Sequence, residues 1–362
     1  MTRLRPRPGI LEIEPYVGGK AEAAGGAPAI KLSANESPLG PSPKAVVALQ
    51  AAAAEAHRYP DGGAVRLRQA IGEHHGLDPD RIVCGAGSDE LIQLLMRAYA
   101  GPGDEILHSA HGFLMFRLCA LSVGATPVAA PERDLTTDVE ALLARLTSRT
   151  RMVFVANPNN PTGSYLGADD LARLHAGLPE DVVLVIDAAY AEYVDRNDYL
   201  AGAELVDAAH NVVMTRTFSK LFGLAALRLG WLYAQPAVVD ALHRIRGPFN
   251  VGALAQVGGV AALEDLEHQQ RSRAHNDLWL PWLAREISAL GLQVHPSVAN
   301  FVLVGFGNGT AGSAEAASAW LERRGILARS MAAYGLPHCL RLSVGLEDDN
   351  RAVVDALREF TA

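Results

Sequence analysis

The stretch RIVCGAGSDELIQLLMRAYAGPGDEILHS, residues 81 to 109, decides the fold class of this chain. It begins with a short apolar run, continues with a longer run that has the spacing of an amphipathic helix, and ends with a second short apolar run. Short apolar runs that alternate with helices are typical of parallel strands in a sheet covered by helices on both faces. The stretch therefore predicts an α/β architecture.

The same alternation continues along the chain. TPVAAP (126–131) and RMVFVAN (151–157) have the composition of strands, and VEALLARL (139–146) has helical spacing between them. VVLVIDAAY (182–190) and NVVMTRTF (211–218) continue the series of strands. We therefore expect a mostly parallel sheet in a large domain over residues 41–248.

The pattern changes after about residue 248. A long helical pattern surrounds WLPWLAREISAL (279–290), and LQVH (292–295) and NFVLVGF (300–306) then read as strands. A chain of 362 residues is too long for one compact core. We expect a smaller α+β domain over residues 249–362, and an N-terminal arm over residues 1–40, which are rich in Gly and Pro and lack periodicity.

Composition and charge exclude several classes of protein. With 49% hydrophobic and 20% charged residues the chain is that of an ordinary globular protein. A net charge of −8 disfavours nucleic acid and anionic membranes as partners. Three separated cysteines, without a CxxC pair, argue against a disulfide framework and a metal site. No secretory signal or membrane span is expected, which makes the cytoplasm the default location.

The densest chemical signal is TRTFSKLFGLAALRLG, residues 215 to 230. Thr217, Ser219 and Lys220 lie in one turn, and Arg228 follows eight positions after the lysine. Two hydroxyls and a guanidinium can bind one phosphate while the amine forms an imine with a neighbouring aldehyde. A solvated basic turn is the alternative interpretation.

Two polar segments follow predicted strands, where ligands bind in open α/β sheets. NPNNPTG (157–163) follows one strand, and Asp187 ends another. A carboxylate at the end of a buried strand is costly unless it is paired, so Asp187 is a candidate for binding a cation. The alternatives are a helix N-cap for Asp187 and a simple turn for NPNNPTG.

The segment CGAGSDE (84–90) joins a strand to a helix, and its small residues let backbone N–H groups approach an anion. It is not a dinucleotide fingerprint, because Glu90 stands where the third glycine is required. The sequence also has no GxxxxGK[ST] motif. A nicotinamide or nucleotide enzyme is therefore disfavoured.

GAGSDE, NPNNPTG, DAAY and TFSK, in this order and spacing, resemble the aspartate aminotransferase family of pyridoxal 5'-phosphate (PLP) enzymes. The resemblance implies fold type I, with a mostly parallel seven-stranded sheet in the large domain and a smaller α+β domain. It also implies that Lys220 carries PLP as a Schiff base and then acts as the base for the proton shift. Asp187 would keep the pyridine nitrogen protonated, and a buried anion favours that cation.

The other cofactor contacts also follow from the resemblance. Asn160 and Tyr190 would hydrogen-bond the ring oxygen, Tyr190 being counted with the catalytic residues. Phe113, in HGFLMF, would stack on the ring where many relatives have tyrosine. The residues around the phosphate would be Gly87, Ser88, Asp89, Thr217, Ser219 and Arg228.

The ends of the chain resemble the histidinol-phosphate aminotransferases in particular. The segments that carry this likeness are EPYVGG (14–19), LSANESPLGPSP (32–43), RYPDGG (58–63), GILARSMAAYGLP (325–337) and CLRLSVG (339–345). They imply amino-group transfer between L-histidinol phosphate and 2-oxoglutarate, with glutamate as the second amino compound, in histidine biosynthesis. They also imply a homodimer in which Tyr59 reaches the cofactor phosphate in the partner subunit.

Such a site must bind a carboxylate in one half-reaction and a phosphate in the other. Arg341, at the family's place for the carboxylate-binding arginine, and Arg329 are the candidates, since guanidinium groups suit both anions. Tyr16 and Asn35 complete the expected substrate site. Tyr16 could instead pack on the surface, and Arg329 could be an exposed charge at a helix end.

Three other functions share these residues. An aromatic amino acid aminotransferase would use the same catalytic set, and a threonine-phosphate decarboxylase would share the fold and a phosphorylated ligand. A non-catalytic PLP-binding or regulatory protein is disfavoured by the intact Lys220, Asp187 and Tyr190, and by the lack of a basic helix-turn-helix extension.

Overall fold

The computed structural model describes residues 6–7, 9–16, 18–19, 22, 29–307 and 312–362. Most of the expected arm between residues 17 and 28, including Val17 of EPYVGG, lies outside the described residues. The strands, numbered in chain order, are β1 Ile30–Lys31, β2 Ile82–Gly85, β3 Glu105–Ser109, β4 Thr126–Ala130, β5 Glu132–Arg133, β6 Thr136–Thr137, β7 Thr150–Ala156, β8 Val183–Asp187, β9 Val212–Thr217, β10 Gly230–Tyr233, β11 Gln293–His295, β12 Phe301–Gly305, β13 Ile326–Leu327, β14 Arg329–Ser330 and β15 Cys339–Ser343.

The helices are α1 Pro43–Ala53, α2 Val65–His75, α3 Ser88–Tyr99, α4 Leu114–Val123, α5 Val139–Leu143, α6 Ala168–Ala176, α7 Ala203–Ala208, α8 Pro236–Ile245, α9 Ala253–Leu263, α10 Leu266–Ala289, α11 Ala314–Arg323 and α12 Glu347–Thr361. Short 3-10 helices lie at Ile10–Glu12, Pro79–Arg81, Ala191–Tyr193, Ala225–Leu227 and Ala332–Tyr334.

The largest sheet among the described residues has seven strands in the order β2-β10-β9-β8-β7-β3-β4. Neighbouring strands from β9 to β4 run parallel, whereas β10 is antiparallel to both β9 and β2. This sheet confirms the mostly parallel α/β architecture expected from the sequence.

Alternate residues of the central strands enter two different hydrophobic cores. Val153 and Val155 of β7 belong to one buried cluster, and Met152 and Phe154 belong to the cluster on the other face. Burial of each such side chain contributes roughly 1.5–3 kcal/mol. The continuous apolar runs of the sequence exist because both faces of the sheet are covered by helices.

The C-terminal part of the chain forms the expected smaller α+β unit. Its antiparallel sheet has the order β11-β12-β15-β14 among the described residues, and α10, α11 and α12 contribute to its core. The unit places Arg329 and Arg341 on adjacent strands, directly opposite each other in the register of β14 and β15.

We keep the three-part division of the chain as a proposal, with two changes that the packing favours. Ile30–Lys31 pairs with β13, and Leu32 enters the core of the small unit, so the end of the 1–40 arm belongs with that unit. Helix α9 lies inside the proposed 249–362 domain, yet Ala255 and Leu263 are buried in a core of the large sheet. A boundary near residue 264 therefore fits better than one at 248, because helical spacing alone does not tell which sheet a helix covers.

No helix in the described part of the chain is long and apolar enough to cross a membrane. Cys84, Cys119 and Cys339 are all buried free thiols. Burial raises the pKa of Cys84 and of Cys119 to about 12, so both thiols stay protonated and behave as small hydrophobic groups. No group of side chains suited to a metal ion occurs among the residues that were described.

Candidate active site

The predicted catalytic residues meet at the carboxyl edge of the large sheet. Strands β7, β8 and β9 run parallel and end at Ala156, Asp187 and Thr217, and all three residues line one cavity. The cavity has a volume of about 360 Å³ and also takes in segments of the small unit. This is the place where open α/β sheets bind their ligands.

Most of the residues predicted from the sequence line this cavity: Tyr16, Asn35, Ser88, Asp89, Phe113, Asn160, Asp187, Tyr190, Thr217, Ser219, Lys220, Arg228, Arg329 and Arg341. Gly87 is not part of the lining, but it is the residue just before α3. Tyr59 lies outside the cavity, is 83% exposed, and stacks on Phe249 at 4.7 Å between ring centroids.

Asp187 is a buried carboxyl with a single side-chain partner among the described hydrogen bonds. Thr215 Oγ1 donates to Asp187 Oδ1 at 3.0 Å. Burial raises the pKa of Asp187 to about 7, and the Thr215 hydroxyl opposes the shift. The N-cap alternative is wrong, because the next helical turn, Ala191–Tyr193, begins after Tyr190. A cationic partner at this position would restore the carboxylate to its charged form.

The turn after β9 forms a hydroxyl cradle. Ser219 N donates to Thr217 Oγ1 at 3.1 Å, and Thr217 Oγ1 donates to Ser219 Oγ at 3.0 Å. Both side chains are buried, so a solvated basic turn does not describe them. Arg228 Nη1 donates to Ser219 Oγ at 3.4 Å, and its Nη2 donates to Asp89 Oδ2 at 3.0 Å.

Two glycines make room for an anion beside this cradle. Gly87 has φ +83°, and a Cβ there would come within 2.5 Å of Arg228 Nη2. A Cβ on Gly230 would come within 2.4 Å of the backbone nitrogen of Ser88, the first residue of α3. Only glycine allows β10 and the turn at residue 87 to approach this helix N-terminus, where N–H groups point at a bound anion.

Lys220 lies between the sheet edge and the N-terminal segment. Its Nζ donates to the carbonyl oxygen of Ala34 at 3.4 Å and lies 5.6 Å from the centroid of the Tyr190 ring. Asn35 Nδ2 donates to the Tyr190 hydroxyl at 2.8 Å. The Tyr190 hydroxyl thus accepts one hydrogen bond and keeps its own proton for a ligand oxygen.

Arg341 is a buried cation at the far wall of the cavity. Nη1 donates to Asn160 Oδ1, and Nη2 donates to the carbonyl oxygen of Ser33 at 3.1 Å. Its Nε is buried without a partner in the described structure, and burial lowers the pKa of Arg341. A buried guanidinium without a carboxylate is costly unless an anionic ligand completes its shell.

Arg329 faces Arg341 across the two strands, and like charges in this position destabilise a sheet. Its guanidinium carbon lies 5.7 Å from the centroid of the Tyr16 ring. Arg329 is half-buried in β14, so the interpretation as an exposed helix-end charge is wrong. Tyr16 is 50% exposed at the mouth of the cavity.

Two further residues of the lining, Glu36 and Tyr334, were not expected from the sequence. Glu36 pairs with Lys31 at 2.8 Å. Tyr334 lies inside the AAYGLP stretch (332–337), but nothing in the pattern distinguished it from a core aromatic residue. Only the fold brings the 3-10 helix Ala332–Tyr334 to the cavity that Arg329 and Arg341 also line.

The donor set fits PLP as a whole. Asp187 is a buried carboxyl in need of a cation, Lys220 supplies an amine for an aldehyde, and Arg228 with the glycine-lined helix N-terminus supplies an anion site. These are the three chemical features of PLP: a basic pyridine nitrogen, an aldehyde and a phosphate.

The family described as aminotransferase class I and II matches residues 27–357. The chain belongs to this family. It is therefore a PLP-dependent aminotransferase with the type I fold, as the resemblance predicted. These findings establish the enzyme class and the cofactor, while the individual site residues stay predictions.

Several similar proteins are named histidinol-phosphate aminotransferase. A histidinol-phosphate aminotransferase of Rhodospirillum centenum is 62% identical over 98% of both chains, and one of Paramagnetospirillum magneticum is 57% identical over 99% of both. The crystal structure of histidinol-phosphate aminotransferase from Sinorhizobium meliloti, in complex with PLP, matches 99% of this chain and 98% of its own. It does so at 29% identity and a TM-score of 0.89.

Proposed function

We propose that this aminotransferase transfers an amino group between L-histidinol phosphate and 2-oxoglutarate, the reaction of histidine biosynthesis. The observation that carries the substrate class is the pair of arginines on β14 and β15. Arg341 is buried and Arg329 lies opposite it on the wall of the same cavity. Two adjacent guanidinium groups suit a doubly charged phosphate ester, and the names of the relatives at 62% and 57% identity support this assignment.

We propose that the cofactor is held at three points. Lys220 would bond to its aldehyde carbon, Asp187 would face its pyridine nitrogen, and Arg228, Ser219 and the N-terminus of α3 would bind its phosphate. Asn160 and Tyr190 would donate to the ring oxygen, and Phe113 would cover one face of the ring. PLP, once bound, supplies an electron sink for the carbon that carries the amino group.

Asp187 and Lys220 would each hold or move one proton during the reaction. Asp187 holds the proton at the pyridine nitrogen, because its carboxylate is stabilised in the buried site only when a cation lies against it. Lys220 removes the proton from the substrate carbon that carries the amino group and later returns a proton. The Tyr190 hydroxyl, oriented by Asn35, donates at the ring oxygen.

The substrate wall has to accept two different anions in turn. With glutamate, Arg341 would take one carboxylate and Arg329 is placed for the other. With histidinol phosphate, both arginines would share the phosphate. Burial excludes water from Arg341, which would strengthen the contacts that Arg341 makes with either anion.

The proposed reaction is tested by incubating the PLP-loaded enzyme with histidinol phosphate and 2-oxoglutarate and measuring the glutamate formed. Glutamate should appear in step with the loss of histidinol phosphate, and omission of either substrate should stop it. Release of carbon dioxide from threonine phosphate would instead indicate a decarboxylase. Absence of any turnover with a loaded cofactor would favour the non-catalytic alternative.

We also propose that the enzyme is a homodimer. Its large exposed apolar side chains concentrate on α1, α2, α9 and the adjoining loops: Val46, Val47, Tyr59, Val65, Phe249 and Val257. An exposed cluster of this kind marks a protein interface. The Tyr59–Phe249 stack lies within the cluster, so Tyr59, which the cavity of its own chain does not include, would serve the partner's cofactor.

The dimer is tested by Val47→Glu, which places a charge on the exposed face of α1. It should yield a monomer in sedimentation velocity and lose activity, because the site is shared. Leu278→Glu is the matched control, since Leu278 is equally apolar and exposed but lies on α10. A fully active Val47→Glu monomer would contradict the proposal.

We further propose a cytoplasmic location, where reduced thiols such as the three buried cysteines persist.

A further inference from the structure

Tyr334 belongs to both the small unit and the substrate cavity. It is the last residue of the 3-10 helix Ala332–Tyr334 and is 6% exposed. It packs in a cluster with Leu303, Met331 and Cys339, and Leu114, the first residue of α4, packs against this cluster. The residue therefore lies where the small unit meets the segment that carries Phe113.

The hydroxyl of Tyr334 is free to bind a ligand. No hydrogen bond in the described part of the chain engages it, and the residue lines the cavity together with Arg329 and Arg341. Burial raises the pKa of Tyr334 to about 12, while the nearby Arg341 opposes the shift. The phenol therefore stays protonated at neutral pH and can donate its proton to an anion.

His111 fixes the position of Tyr334. Its Nδ1 lies 2.7 Å from the carbonyl oxygen of Tyr334, and since a carbonyl can only accept, Nδ1 carries the proton. The backbone N–H of His111 donates to Glu132 Oε1 at 3.0 Å, and Asn159 Nδ2 donates to the His111 carbonyl at 3.2 Å. His111 thus joins the segment before Phe113, the NPNNPTG turn and the helix of Tyr334.

We propose that Tyr334 is a specificity-determining residue whose hydroxyl donates a hydrogen bond to the phosphate of the substrate, and that His111 is the positioning residue that holds it there. This inference rests on the proposed function, because it assumes a phosphate ester as substrate. It adds to that function the donor that distinguishes phosphate from carboxylate.

The distinction follows from the number of acceptor oxygens. Glutamate would present one carboxylate to each arginine, and the two oxygens of a carboxylate can be satisfied by a single guanidinium group. A phosphate ester offers three terminal oxygens in three directions and more negative charge, so it can use the two guanidinium groups and a hydroxyl donor at once. The Tyr334 hydroxyl should therefore contribute to the phosphate substrate and little to glutamate.

The first test is Tyr334→Phe, which removes only the hydroxyl. The kcat/KM for histidinol phosphate should fall roughly tenfold or more, mainly through KM, because a hydrogen bond to a charged group is lost. The kcat/KM for glutamate should fall less than about threefold. The dissociation constant of inorganic phosphate, measured by calorimetry on the PLP-loaded enzyme, should rise in the same variant.

Tyr99→Phe is the matched control, since Tyr99 is half-buried on α3 and does not line the cavity. It should leave both substrates unchanged. Equal losses for histidinol phosphate and glutamate in Tyr334→Phe, or no loss for either, would overturn the inference. If the unmodified enzyme does not use histidinol phosphate at all, the proposed function fails instead, and the two failures are thereby distinguished.

The second test addresses His111. His111→Ala removes the donor to the Tyr334 carbonyl and should raise KM for histidinol phosphate more than KM for glutamate. His111→Asn keeps an N–H donor near the position of Nδ1, so it should restore most of the loss. A structural role alone would lower the thermal stability of both variants and affect both substrates alike, and that outcome would contradict the positioning role.

Discussion

The floor and the far wall of the cavity are built in different ways. The floor, which would hold the cofactor, comes from the ends of β8 and β9 and the turn that follows them, all attached to one continuous sheet. The wall that faces the substrate combines Tyr16 and Asn35 from the N-terminal segment with Arg329 and Arg341 from β14 and β15. In the proposed assignment the reaction chemistry would rest on one sheet, and substrate choice would depend on contacts between the two ends of the chain.

The arginines of the two regions differ in their exposure and in whether a carboxylate already pairs with them. Arg228, at the floor, is half exposed on its side chain and already has Asp89 as a carboxylate partner at 3.0 Å. Arg341, at the wall, is buried, with only neutral partners among the described hydrogen bonds. A cofactor phosphate would therefore share Arg228 with a carboxylate, whereas the substrate anion would be the first charge to neutralise Arg341.

The largest effect is expected from Lys220→Ala at the floor. The variant should lose transamination and the visible absorption band of the bound cofactor, because the amine that bonds to the cofactor is gone. Circular dichroism and the thermal melt should stay close to those of the unmodified protein. Full activity in this variant would remove the basis for the catalytic assignment.

Asp187→Asn should produce the next largest effect. It keeps the shape of the side chain but removes the charge that holds the pyridine nitrogen protonated. We expect kcat to fall more than about a thousandfold, measured with saturating substrate and cofactor. A change confined to KM would instead indicate that Asp187 binds the substrate, and would contradict its proposed role at the cofactor.

The motifs of the floor could be predicted from the sequence for a physical reason. Lys220, Ser219 and Thr217 lie within four residues of one another, and Asp187 ends an uninterrupted apolar run. Such local patterns fix both the secondary structure and the edge of the sheet at which side chains meet. The alternation of apolar runs likewise predicted strands β2, β3, β4, β7, β8 and β9 of the large sheet, but neither the β5–β6 pair nor the packing partner of α9.

The wall could not be predicted in this way. The pairing of Arg329 with Arg341 depends on the register of two strands, which spacing alone does not give. Tyr334 is separated from His111 by 223 positions, so their contact has no local signature. The arginines were found only through the resemblance of the chain ends to a known family, and Tyr334 was not found at all.

Arg329→Ala changes the wall and not the floor, so its effect should depend on the substrate. Loss of one charge-assisted contact should lower kcat/KM for histidinol phosphate by roughly 10- to 150-fold. Glutamate should lose activity if its second carboxylate uses the same arginine, and phenylalanine should be little affected. Arg324→Ala is a suitable control, because Arg324 forms a surface ion pair with Glu359 close to the same sheet. Equal losses for all three substrates would mean that Arg329 only supports the fold.

The smallest effect concerns the stability of the cofactor-free protein. The pKa of Asp187 is raised from 3.8 to about 7, so the folded chain binds more protons than the unfolded chain between these values. Stability therefore falls as pH rises through this window. Cofactor-free Asp187→Asn should melt a few degrees higher than the cofactor-free parent at pH 8, and the gap should close near pH 4. A difference in melting temperature that does not change with pH would show that the buried charge of Asp187 is not its cause.

The central claim is that the wall selects a phosphate ester over an aromatic amino acid. One competition experiment measures this directly: equal concentrations of histidinol phosphate and phenylalanine compete for the PLP-loaded enzyme with limiting 2-oxoglutarate. The ratio of the two keto products gives the ratio of their kcat/KM values. We predict that the product from histidinol phosphate exceeds phenylpyruvate by at least about tenfold, the effect of one charge-assisted contact. An excess of phenylpyruvate would contradict the claim and identify the enzyme as an aromatic amino acid aminotransferase.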